Sequence, residues 1–202
     1  MATMPKQNVR REGLPGAWRE RLLLDDGRQL ILRPIEPEDA RALQIGFELL
    51  SPEEVRFRFL HPLRELTEQA SGQLARPHRD REFALVVAED LPPGEALVGA
   101  VVRASIDPDQ KKAEFAVLVS RFLGRQGLGE LLMRRVIRWA KLKRLDVLYG
   151  DVLDDNLAML ALASRLGFRR SHRHDEPGVT RVTLDLQTAV PRRRTRRSAR
   201  AR

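Results

Sequence analysis

The sequence predicts a mixed α/β domain, and three observations carry that prediction. The hydrophobic pattern opens as a strand hairpin, passes through short helices, and then shifts to a run of three strands. A glycine-rich turn then leads from the third of those strands into one long amphipathic helix. After it come a strand, a helix and two closing strands. A run of strands followed by strand–helix–strand–helix is a mixed layout. It is not the alternating pattern of a dinucleotide fold. The glycine segment comes late, and no acid closes a second parallel strand where a ribose would need it.

Each element has its own reason. Residues 1–18 are polar and carry Pro5, Gly13, Pro15 and Gly16, which predicts a flexible N-terminal arm. Arg21–Leu24 and Gln29–Leu32 flank Asp25-Asp26-Gly27 and read as a hairpin. Pro37 with Glu38 and Asp39 suits a helix start, since the first turn lacks N–H partners and favours negative charge. Ala40, Leu43, Phe47 and Leu50 follow at helical spacing. Ser51-Pro52-Glu53-Glu54 opens a second helix in the same manner, and a third runs through Leu66–Leu74. The period then changes. Strands are expected at Phe83–Ala88, Ala96–Ile106, with Pro108 beyond it, and Ala113–Val119. The long helix covers 127–142, with Leu128, Leu131, Leu132, Val136, Trp139 and Ala140 on one face. Val147–Val152 is a strand, and Asp154 or Asp155 is expected to cap a helix that ends at Leu166 with Gly167 closing it. Phe168–His172 and Val179–Leu186 finish as strands.

Composition narrows the function classes. The chain has 202 residues and no cysteine, which excludes disulfides, thiolate catalysis and cysteine-based zinc sites. His172 and His174 lie two apart without an obvious third ligand, so no metal site is expected. His61 and His78 read as surface or loop residues. There is no apolar run of membrane-spanning length and no leader-like segment at the N-terminus, so the expected location is cytoplasmic. The net charge of +9 is concentrated at one end. The stretch Arg192–Arg202 holds seven arginines and no acid, and without those seven charges the rest of the chain carries +2. The 189–202 segment therefore reads as a disordered Arg-rich tail, through which alone nucleic acid is a conceivable partner. No aromatic residue is interleaved there to stack on bases.

The chemistry concentrates where Ala113–Val119 runs through Ser120-Arg121-Phe122-Leu123 into Gly124-Arg125-Gln126-Gly127-Leu128-Gly129. A strand feeding a glycine turn and then a helix aims several backbone N–H groups at one spot. The helix N-terminus adds partial positive charge there. Glycines let a pyrophosphate approach the backbone, and Arg125 can add a charge-assisted contact. Taken alone, such a turn has equal claim to a purely structural role.

In context, these residues resemble the acyl-CoA motif of the GNAT superfamily of N-acetyltransferases, Gln/Arg-x-x-Gly-x-Gly/Ala in the same strand–turn–helix setting. Asp155-Asn156-Leu157-Ala158-Met159 and the ending Leu166-Gly167-Phe168 fit the same family at the same spacing, and the resemblance spans Gln29–Leu186. Within the superfamily, Leu32-Arg33-Pro34-Ile35-Glu36-Pro37-Glu38-Asp39, Arg56-Phe57-Arg58-Phe59, Asp80–Val86 and Leu148–Leu153 look like the Pat branch of bacterial protein lysine acetyltransferases. The chain is read as that branch's catalytic domain alone, over residues 19–188. The resemblance implies a mostly antiparallel central sheet flanked by helices, with two central strands, Ala113–Val119 and Val147–Val152, splayed to admit the pantetheine arm of acetyl-CoA. It implies that backbone groups of Val117 and Val119 pair with that arm. The amides of Arg125, Gln126, Gly127, Leu128 and Gly129 would hold the pyrophosphate, and Asn156 would touch the cosubstrate from the other side. The implied acceptor is a protein lysine, with AMP-forming acyl-CoA synthetases as the implied partners.

Acetylating an amine requires its neutral form. Removing the proton from a free lysine, pKa about 10.4, costs roughly 4–5 kcal/mol at neutral pH, so a positioned carboxylate is needed. Glu114 lies on the strand that leads into the glycine turn, and the Pat resemblance places the catalytic base there. Alternation puts Glu114, Ala116 and Leu118 on one face, and an acid among such apolar neighbours is expected to be at least partly buried with a raised pKa. A strand-end glutamate paired with an arginine is the structural alternative. Two positions depart from the family pattern. Gly124 stands where the motif carries Gln, Arg or Lys, and Ala163 stands where many members carry a tyrosine that protonates the leaving thiolate. The chain's one tyrosine, Tyr149, belongs to a different strand. Arg56-Phe57-Arg58-Phe59 either shapes the acceptor cleft or is simply core and solvent face of an amphipathic helix. Other readings are a small-amine or N-terminal acetyltransferase, and a non-catalytic domain that senses acyl-CoA or docks on nucleic acid.

Overall fold

A computed structural model describes residues 10–124, 126–173 and 175–187. Nine strands form one sheet in the spatial order β1-β2-β3-β4-β5-β6-β7-β9-β8. They are β1 Arg10–Gly13, β2 Glu20–Leu23, β3 Gln29–Pro34, β4 Glu82–Glu89, β5 Val98–Ile106, β6 Lys112–Val119, β7 Val147–Leu153, β8 Arg169–His172 and β9 Val179–Asp185. Every pairing is antiparallel except β6 with β7. The helices are α1 Ala40–Glu48, α2 Pro52–Phe59, α3 Glu68–Leu74, α4 Leu128–Leu142 and α5 Leu157–Arg165. The expected mixed layout, mostly antiparallel with helices on both faces, is the one observed.

The two faces have separate cores. Alternation on β4–β6 sends Leu85, Val87, Val102, Ala104, Ala113 and Phe115 to one face. There they pack under Leu128, Leu132, Val136 and Trp139 of α4, the helix whose apolar stripe the sequence displays. Trp18 and Trp139 flank Phe83 at ring-centroid distances of 5.0 and 5.2 Å. The opposite face buries Ile35, Leu43, Ala75, Ala84 and Val86 beneath α1 and α3. α2 starts at Ser51, whose hydroxyl accepts from the Glu54 amide while the Glu54 carboxylate accepts from the Ser51 amide.

Two expectations about local structure are corrected. Within the 1–18 stretch expected to be a flexible arm, residues 10–13 form an edge strand on β2. Its side chains are all exposed, so backbone pairing rather than hydrophobic burial places it. The cap of α5 is Asn156, whose Oδ1 accepts from the Met159 amide at 3.1 Å, rather than Asp154 or Asp155. Asp154 instead accepts from the Thr180 hydroxyl at 2.6 Å, and Asp155 is paired with Arg56. The Arg-rich tail at 189–202, Arg125 and His174 lie outside the described residues.

Candidate active site

The sheet forks between β6 and β7. These strands pair through Lys112↔Val147, Ala113↔Leu148 and Glu114↔Tyr149, and then no further. The hydrogen bonds Ser120 N to Gly99 O and Asp107 N to Lys112 O fix the β5–β6 register. In an antiparallel ladder, residues at these alternate positions point their N–H and C=O at the partner strand. Even-numbered residues of β6 are therefore satisfied by β5, and the backbone groups of Val117 and Val119 face the side where β7 has departed. At the root of the fork, the Phe115 ring occupies the space a side chain at Gly150 would need. A Cβ built there meets the ring at 2.8 Å and the Phe115 carbonyl oxygen at 3.0 Å.

The mouth of the fork lies at the C-terminal ends of both strands. On one side, β6 continues through a short 3-10 turn at Arg121–Leu123 to Gly127, whose φ of +75° is the left-handed conformation that glycine supplies without strain. Gly127 is the N-cap of α4 and, among the described residues, no side chain caps that helix, which leaves the first-turn amides open to an anion. The side chain of Leu128 is buried in the core, so only its amide can serve there. The Gln126 side chain reaches the Asp25 amide at 3.4 Å, linking the turn to the β2–β3 hairpin. A Cβ on Gly129 would make ordinary contact with Leu162 at 3.4 Å, so this glycine lies where α4 meets α5. Gly124 is held tightly, since a Cβ there would lie 3.2 Å from the Arg121 carbonyl oxygen. On the other side of the mouth stands Asn156, its Oδ1 used by the α5 cap and its amide NH2 not needed for it. These groups fit a pantetheine arm between the strands and a pyrophosphate on α4.

α2 spans the mouth on the face of Glu114. Its Glu54 carboxylate accepts from the Arg121 amide at 2.7 Å, and its Arg56 is salt-bridged to Asp155 beside Asn156. Glu114 sits at the last paired rung, across from Tyr149. Its side chain keeps much of its surface open to solvent at this rung, and the remainder is desolvated, as expected for an acid among apolar neighbours. Its pKa is nevertheless raised above the usual glutamate range, first by desolvation and then by the charge of Asp151, partly offset by Arg181 and Arg58.

Around it lies a polar cluster that the sequence did not announce. The Tyr149 hydroxyl donates to both carboxylate oxygens of Asp107, at 3.0 and 3.2 Å, and the Arg181 guanidinium stacks 4.7 Å from its ring centroid. Asp151 accepts from Arg181 at 2.7 and 2.8 Å and from Arg173 at 2.9 Å. Burial opposes ionisation of Asp151, but these arginine hydrogen bonds outweigh it and its pKa falls. Ala163, at the family's tyrosine position, is buried in the core.

Comparison with known proteins places this geometry. The acetyltransferase (GNAT) domain family matches residues 29–169. An acetyltransferase of Pseudomonas aeruginosa is 31% identical over 147 residues, which is 72% of this chain and 77% of the relative. Among solved structures, the GNAT domain of S. lividans PAT superposes with a TM-score of 0.73 at 23% identity, covering 86% of this chain and 99% of that one. Spermidine N-acetyltransferase from Vibrio cholerae, solved with CoA and spermine, gives a TM-score of 0.62 at 19% identity, covering 78% and 96%. A Salmonella typhimurium structure holding acetyl-CoA as cofactor gives 0.61 at 20%, covering 80% and 97%.

Proposed function

The chain belongs to the GNAT acetyltransferase family, and from that premise we propose that it transfers acetyl from acetyl-CoA to a protein lysine, with Glu114 as general base and an AMP-forming acyl-CoA synthetase as the class of acceptor protein. The observation that carries this reading is the placement of a carboxylate of raised pKa at the root of a strand fork whose mouth is lined by open backbone amides. The lysine part rests on the sequence likeness to the Pat branch, and the fold shared with a PAT GNAT domain over 86% of this chain is in keeping with it. In this reading Val117 and Val119 pair with the pantetheine arm, the amides of residues 125–129 hold the pyrophosphate, and Asn156 closes the other side.

The acceptor ammonium reaches Glu114 from the α2 face and gives up one proton to its carboxylate, directly or through a water. The freed amine lone pair then attacks the thioester carbonyl carbon. The C–N bond forms, the C–S bond breaks, CoA leaves as the thiolate, and the second proton on the new amide nitrogen passes to that thiolate or to water. A carboxylate pKa above the usual range suits this role, since a stronger base takes the proton at lower cost.

The test is acetylation of an AMP-forming acyl-CoA synthetase from the same cell, read by intact-mass and peptide mass spectrometry. Site-specific lysine acetylation is expected. Glu114→Gln should keep acetyl-CoA binding and lose about 100-fold or more of turnover. In the wild type, the acidic limb of kcat/KM should fall above the ordinary glutamate range, because activity needs the deprotonated carboxylate and its pKa is raised. Near-normal turnover in the variant would remove Glu114 from the mechanism.

A further inference from the structure

Between α1–α3 and the sheet lies a cavity of about 360 Å³. Leu43, Phe47, Phe59, Val101 and Leu118 give it an apolar lining. Leu118 belongs to the same face of β6 as Glu114 and Ala116, so the chamber and the proposed base share one surface. Three arginines line this wall, and the first, Arg28, is held by the Asp26 carboxylate and the Phe122 carbonyl. Arg103 of β5, opposite Ala116, donates to the Leu74 carbonyl and lies 3.6 Å from Glu82. Arg58 of α2 is different. Its guanidinium carbon lies 5.0 Å from the Phe59 ring centroid, and among the described residues no carboxylate or carbonyl takes a hydrogen bond from it.

A guanidinium carries five N–H donors in a planar fork that matches a carboxylate. Arg58 is only partly buried and its nitrogens still reach solvent, so a ligand carboxylate there would replace water on donors that no protein group uses. Burial and the neighbouring Arg103 charge push its pKa down to about 10, while Glu114 pulls the other way. Arg58 therefore lines the apolar chamber and stands within electrostatic reach of the proposed base.

We propose that the acceptor carries a carboxylate close to the amine it offers, and that Arg58 binds this carboxylate while apolar matter beside it enters the chamber. The inference rests on the amine-acetyltransferase reading. On a protein, the carboxylate is an Asp or Glu side chain next to the reactive lysine. On a small molecule, it is the carboxylate of an apolar amino acid. Either source presents the same group to the same guanidinium.

The experiment measures kcat/KM with acetyl-CoA for four acceptors: an N-blocked lysine peptide with Glu beside the lysine, the same peptide with Gln, free leucine, and leucine amide. Wild type and Arg58→Gln are compared, with Arg58→Lys as a charge-retaining control. The expected result is a preference of about tenfold or more for the Glu peptide over the Gln peptide. That ratio should fall to about one in Arg58→Gln and recover in part in Arg58→Lys. A ratio cancels any general loss of activity, so a merely structural role for Arg58 would not move it. If leucine is preferred over its amide in an Arg58-dependent manner while both peptides are inert, the carboxylate inference stands and the lysine reading falls. If the peptides react without preference, or with a preference that Arg58→Gln preserves, the inference is overturned and the lysine reading stands. Failure of all four acceptors, in protein that binds acetyl-CoA, overturns both.

Discussion

Two arginines associated with the same face of the sheet are treated in opposite ways. Arg33 of β3 is 1% exposed, and its Nη1 and Nη2 each hold one oxygen of the fully buried Asp39, at 2.6 and 2.7 Å. Asp39 also accepts from the Glu36 amide at 2.9 Å, so the pair fixes the chain where β3 turns into α1, and only the Arg33 Nε lacks a partner. Among the described residues, no carboxylate takes a hydrogen bond from Arg58. The first arginine belongs to a region where the sheet is continuous and both faces are covered. The second stands near the fork, where pairing lapses and the α2 face is open. The scaffold pairs the deeply buried Arg33 with a carboxylate from within, whereas the partly buried Arg58 keeps its donors on the solvent side.

The largest effect should come from breaking the scaffold pair. Removing one member of a buried salt bridge strands the other and costs about 3–5 kcal/mol. Asp39→Ala should therefore lower stability by about that much in chemical denaturation, with the unfolding slope unchanged. A loss under about 1 kcal/mol would show that the Arg33–Asp39 pair contributes no more than a surface bridge, and the contrast with Arg58 would collapse.

A smaller effect is expected at the fork root. Gly150→Ala puts a methyl within 3.0 Å of the Phe115 ring and carbonyl, and the carbonyl cannot swing aside as a flexible side chain would. Overpacking of this kind costs about 1–3 kcal/mol. Because the clash pushes β7 from β6 where their pairing ends, the KM for acetyl-CoA should rise together with the loss of stability. A stable variant with an unchanged KM would mean that the width of the fork does not depend on this contact.

These two regions were not equally legible in the sequence. Strands and helices with a buried stripe, such as Phe83–Ala88 and the 128–142 helix, declare themselves through periodicity, and they form where expected. β1 does not, because Arg10–Gly13 has no apolar side to reveal and is set by hydrogen bonds to β2. The position of Glu114 could be read, since it lies on the strand entering the glycine turn. Its exposure could not, because that depends on where β7 departs. Asp107, Asp151 and Arg181 come from three separate segments, and only the register Asp151↔Arg181 and the Tyr149–Asp107 hydrogen bond gather them around Glu114. The motif Arg56-Phe57-Arg58-Phe59 was visible, but whether its arginines find partners is a tertiary fact. Arg56 finds Asp155, and Arg58, among the described residues, finds the Phe59 ring rather than a hydrogen-bond acceptor.

The smallest effect sharpens the contrast from the cleft side. Tyr149 is the chain's one tyrosine and stands directly across from Glu114, so it is the obvious candidate to protonate a leaving thiolate in place of the family's missing hydroxyl at Ala163. Its surroundings argue against that. Burial, then the hydrogen bond to Asp107, pushes its pKa up to about 12, and its proton is already shared between the two Asp107 oxygens. Delivering the proton elsewhere would mean breaking that bond and leaving a phenolate beside Asp107. Tyr149→Phe should therefore reduce kcat by less than about tenfold, and the rate should keep the same pH dependence through neutrality. A loss beyond about tenfold, equivalent to about 1.4 kcal/mol of barrier, would make Tyr149 part of the reaction. The polar cluster around Glu114 would then be catalytic machinery rather than the frame that holds the cleft's charges apart.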